Sequence, residues 1–89
     1  MIDIDYDTLD AEVESGLFRA RLEVELTEGF RSIHASGERL PTASHFASQI
    51  AEIVSRGAAD PLSADLAFNL YQEILLAVEG ARASVLDQE

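Results

Sequence analysis

The sequence predicts an all-α protein, a small three-helix bundle with a long first helix, and three observations carry that expectation. Apolar residues recur at three-and-four spacing through the middle and the last third of the chain. Two turn-rich stretches, Ser36–Thr42 and Arg56–Pro61, each holding Gly and Pro, cut the 89 residues into three segments of helical length. One stretch, residues 18–26, has strand periodicity, and no second strand of comparable strength is present to pair with it. Residues 1–89 are therefore expected to form a single helical domain.

The first segment is the ambiguous one. From Phe18 to Leu26 the order F-R-A-R-L-E-V-E-L alternates apolar and charged residues, and an α+β fold with a strand at 18–26 is the alternative. The Ala, Leu, Arg and Glu content from Leu9 to Ala35 is instead that of a helix, which the sequence places at about Asp7 to Ala35. On a helix the apolar residues make two stripes on nearly opposite sides. Leu9, Val13, Leu17, Ala20 and Val24 form one, and Phe18, Leu22, Leu26, Phe30 and Ile33 the other. Gly16 and Gly29 are where such a helix would bend or stop.

The middle segment is a plain amphipathic helix. Ala43, Phe46, Ala47, Ile50, Ile53 and Val54 share one face, and Thr42 or Ser44 suits its cap. Gly57 suits its C-terminal end, while Asp60 and Pro61 suit the cap and first position of the next helix. That third helix, Pro61 to about Leu86, is apolar over most of its surface. Leu62, Leu66, Leu70, Ile74 and Ala77 line one side, and Ala67, Phe68, Tyr71, Leu75 and Val78 continue round it. The arc is about twice the ~100° stripe of a single core contact. Part of it is expected to meet another molecule, with Phe68, Tyr71, Leu75 and Val78 as the contact residues. A core completed by a two-fold homodimer through this helix is the simplest form.

Charge narrows the partner. Seventeen acidic against six basic side chains give a formal −11, a field that opposes direct contact with nucleic acid or an anionic membrane and favours a protein with a basic surface. The acidic opening lacks the basic-then-apolar pattern of a signal peptide, no apolar run approaches a membrane span, and cysteine is absent, so a cytoplasmic location is expected.

Chemistry-bearing motifs are few. Asp3, Asp5, Asp7 and Glu14 stand at positions one, three, five and twelve of a calcium-loop frame. Thr8 holds the position that calls for Gly, and Asp10 one that calls for an aliphatic residue, so no metal is expected. His34 and His45 lack zinc-ligand spacing, even with Glu38 beside them. No serine sits in a nucleophile elbow and no glycine cluster could cradle phosphate, so neither catalysis nor a cofactor is expected.

The expected function is a non-catalytic protein–protein interaction module, such as an assembly adaptor, a chaperone-like protein or a regulatory subunit. It would act through the apolar third helix together with the Phe18–Ile33 stripe. The alternative is an acidic inhibitor of the anti-restriction or anti-CRISPR type. It would present Asp3, Asp5, Asp7, Asp10 and Glu14 as a mimic of a nucleic-acid backbone, since carboxylates two apart on a strand or four apart on a helix lie about 6 Å apart. Against mimicry, Arg19 and Arg21 interrupt the acidic face, and Asp7 with its acidic neighbours also suits the positive end of a helix.

Overall fold

The computed structural model describes residues 4–87. Among them are four helices and no strand: α1 (Leu9–Ser15), α2 (Leu17–Ala35), α3 (Ala43–Gly57) and α4 (Ala64–Leu86). The all-α expectation holds, and the strand alternative at 18–26 is overturned. Alternation alone cannot hold a strand without a neighbour, whereas a helix satisfies its own backbone.

The single long first helix is in fact two. Gly16 adopts φ 80°, a left-handed conformation that ends α1 and starts α2 at once. This break resolves the two-stripe puzzle. Leu9 and Val13 on α1 turn into the core, while Leu17, Ala20 and Val24 on α2 face solvent. The stripe Phe18, Leu22, Leu26, Phe30 and Ile33 is the one that packs inward. An ion pair, Arg21 Nη1 to Glu12 Oε1 at 2.7 Å, ties the two sides of the break together at the surface. Gly29, the other suspected stop, sits inside α2 without effect. Replacing Gly16 with Ala should cost about 1–2 kcal/mol, the ordinary penalty for a Cβ in left-handed backbone. Urea unfolding of Gly16→Ala checks this, and an unchanged midpoint would show that the break does not depend on glycine.

Each remaining helix end has a local cause. After α2, Gly37 takes φ 83°, and the N–H groups of Gly37 and Glu38 donate to the carbonyls of His34 and Ile33 at 3.0 and 3.2 Å. That pattern satisfies two carbonyls which the helix leaves without partners. Thr42 stands at the cap position of α3, without a side-chain cap bond. α4 begins later than Asp60 and Pro61 suggest. Its cap is Ser63, whose Oγ accepts from the Leu66 N–H at 3.2 Å, and the first helical residue is Ala64. Ser63 wins because its side chain reaches the third N–H of the helix, the bond that defines a good cap.

α4 is the central element. α1, α2 and α3 all pack on it, α1 also touches α2, and the backbones of α2 and α3 do not closely approach each other. Leu70, Ile74, Ala77, Val78, Ala81 and Val85 of α4 are buried by this arrangement. The wide apolar arc of this helix is thus met largely within one chain, by three neighbours rather than two. A long body results, 41 × 21 × 19 Å. No helix among the described residues is long and apolar enough to cross a membrane.

Candidate functional site

Because the backbones of α2 and α3 approach α4 but not each other, a gap remains between them. Near their connecting loop the rings of Phe30 and Phe46 close it, with centroids 5.4 Å apart and planes tilted by 59°. Elsewhere it is an open groove of about 360 Å³. Phe18, Leu22, Glu25 and Leu26 of α2 line it, with Phe46, Ile50, Ile53 and Val54 of α3 and Ile4. Ile53 is 58% exposed, a large apolar side chain left uncovered on the groove wall. Glu25 is the one charged side chain in the lining.

The segment that carries Ile4 is fastened to α3. The Tyr6 hydroxyl donates to the Val54 carbonyl at 2.6 Å, satisfying a carbonyl in the last turn of that helix. The ring lies against Gly57, where a Cβ would come within 2.4 Å of the Tyr6 oxygen. Tyr6→Phe should therefore cost about 1 kcal/mol by removing a part-buried hydrogen bond. Gly57→Ala should displace the ring and lose the same bond. The double variant should then be little worse than either single one. A thermal-melt cycle over the four proteins measures this coupling, and fully additive losses would mean that Tyr6 and Gly57 act separately.

The residues expected to bind a partner do not form one surface. Phe68 is 61% exposed, Tyr71 and Leu75 are half-buried against the core, and Val78 is 0% exposed. Val78 is taken out of any docking role by the chain's own packing. The Phe18–Ile33 stripe, expected to share that role, is mostly core, and only its α3-facing edge reaches the groove.

The acidic residues of the alternative reading lie on the N-terminal segment and on α1. Asp3 lies outside the described residues. Asp5 accepts the Asp7 N–H on its own carboxylate at 3.1 Å, making a local turn. Asp7 does not cap α1, whose cap position belongs to Thr8. Asp10 and Glu14 lie four apart on α1 and are exposed. Among the described residues no group of three His, Cys, Asp or Glu side chains could hold a metal ion.

The α3 wall of the groove went unassigned in the sequence, whereas Phe18, Leu22 and Leu26 of its α2 wall belong to the stripe expected to meet a partner. Leu22, Leu26, Ile50 and Ile53 each fit a core face, and periodicity does not tell which core-facing residues a neighbouring helix fails to cover. Compared with protein families, with curated proteins and with solved structures, the chain has no match.

Proposed function

We propose that this protein is a non-catalytic interaction module that receives an apolar helix of another protein in the groove between α2 and α3. The observation that carries the proposal is the groove itself: eight of its nine lining residues are apolar. Helix-in-groove recognition needs such a trough, in which anchors at i, i+3, i+4 and i+7 of the guest find apolar walls. A folded chain that leaves Ile53 uncovered beside Ile50 and Phe46 keeps a surface whose burial by a partner is favourable, at about 25 cal/mol per Å² of apolar area.

Photo-crosslinking tests this. A benzophenone side chain at position 50 should label one or a few host proteins, and the same group at the remote, exposed Ser84 should not. Labelling from position 50 should fall away when Ile53 becomes Ser, a change at a site exposed enough to leave the fold intact. Equal labelling from both positions would sink the proposal.

A further inference from the structure

On the premise that this groove is the docking surface, we infer that its occupant is a basic amphipathic helix of another protein, and not a second copy of this chain. The inference comes from the charges that border the apolar strip. Glu25 stands in the lining itself and is exposed. Asp5 and Asp7 are exposed beside Ile4 and Tyr6, where the N-terminal segment meets the groove.

Two arginines near this margin are already engaged by other acids. Arg21, one turn before Glu25, is engaged by Glu12 at 2.7 Å, and Arg56, at the end of α3, is engaged by Glu52. The groove therefore offers a guest an apolar floor and an acidic margin, within a chain of net charge −11. Lysine or arginine side chains flanking an apolar stripe would lay their aliphatic stems on Ile53 and Leu26 and bring their charged ends to Glu25, Asp5 and Asp7. A second copy fits poorly, because it would bring eleven further negative charges. In a two-fold arrangement it would also set its own Glu25 into the same strip as this one.

The test uses three synthetic stapled helices that share one Leu/Ile stripe and carry Lys, Gln or Glu at every other position. Binding to the full chain is followed by fluorescence polarisation, and the site is located by amide chemical shifts. The Lys helix should bind about tenfold more tightly than the Gln helix at low salt, and the Glu helix more weakly still. The tenfold margin should shrink as salt rises, because the acids involved are exposed. Shifts should centre on Leu22, Leu26, Ile50 and Ile53. Glu25→Gln should narrow the margin between Lys and Gln helices, and Ile53→Ser should weaken all three alike.

Equal binding of all three helices in the groove would leave the docking surface standing and overturn the basic partner. Failure of every helix to bind would overturn both. Binding of the Lys helix with shifts centred on Asp10 and Glu14, insensitive to Ile53→Ser, would reveal unspecific charge attraction and overturn the inference. So would a doubled mass of the free protein that reverts to a single chain in Ile53→Ser.

Discussion

Val78→Glu should unfold the protein, while Phe68→Glu should leave it folded. Both residues lie on α4 and both belong to the arc that looks sticky in sequence, yet one is 0% and the other 61% exposed. A carboxylate at position 78 would be fully enclosed; no described residue is itself buried and charged, and the one cation on α4, Arg82, is part-exposed one turn away. An uncompensated buried charge costs about 3–5 kcal/mol, against about 5–15 kcal/mol for the whole stability of an ordinary domain. At position 68 the charge stays in water, and surface changes usually fall within about 0.5 kcal/mol. Circular dichroism melts of the two variants separate these outcomes. A Val78→Glu protein that melts like the parent would show that α4 does not bury this face. Size exclusion of Phe68→Glu in the same samples bears on the homodimer expected through α4. An elution shift from two chains to one would place a dimer contact at Phe68 and outside the groove.

The second large effect is expected at Phe30. Its ring is 2% exposed and meets Phe46 across the gap between α2 and α3, where the backbones stay apart. Phe30→Ala should lower stability by about 3–5 kcal/mol, combining lost burial with an unfilled cavity. The tilted ring pair accounts for about 0.5–1.5 kcal/mol of the interaction. Leu76→Ala is the control: Leu76 is 48% exposed and should cost well under half as much. Urea unfolding of both variants measures the difference. Similar midpoints would mean that the Phe30 site collapses around the missing ring and that α3 is held by α4 alone. If the ring pair does hold the closed end of the groove, Phe30→Ala should also weaken binding of the Lys helix, although Phe30 lies outside the lining.

How far the fold could be read in the sequence depended on the kind of question asked of each residue. The faces of the helices were legible, because Ala47, Val54, Leu70, Ile74 and Ala77 follow the periodicity of a helix packed on one side and are all buried. The number of helices was not. Gly16 and Gly29 look alike in sequence, yet Gly16 alone is left-handed, and that follows from where Leu9 and Val13 must go to reach α4. The start of α4 was misplaced by three residues, because Asp60, Pro61 and Ser63 all have the chemistry of a helix start and only the chain's path selects among them. The groove-lining residues were hardest to read. Ile53 and Val54 are neighbours in one apolar run, and the splay between α2 and α3 leaves the first exposed and the second covered. Interhelical spacing is a property of the assembled bundle, set by side chains on three helices together.

The central position of α4 also bears on how the protein can be synthesised. α4 comes last of the four helices in sequence, yet every other helix rests on it. While a ribosome is still making residues 58–63, α1, α2 and α3 lack the helix that completes the burial of Leu9, Phe18, Leu22, Phe30 and Val54, and isolated helices of this length are marginal in water. At the usual rate of about 5–20 residues per second, the nascent chain spends a few seconds with these side chains uncovered before α4 is complete. Folding is therefore expected as one late event once α4 clears the exit tunnel, with trigger-type chaperones having their opportunity before it. Nascent chains arrested with α4 still inside the tunnel should be cut rapidly by a protease. Those arrested with α4 outside should resist it.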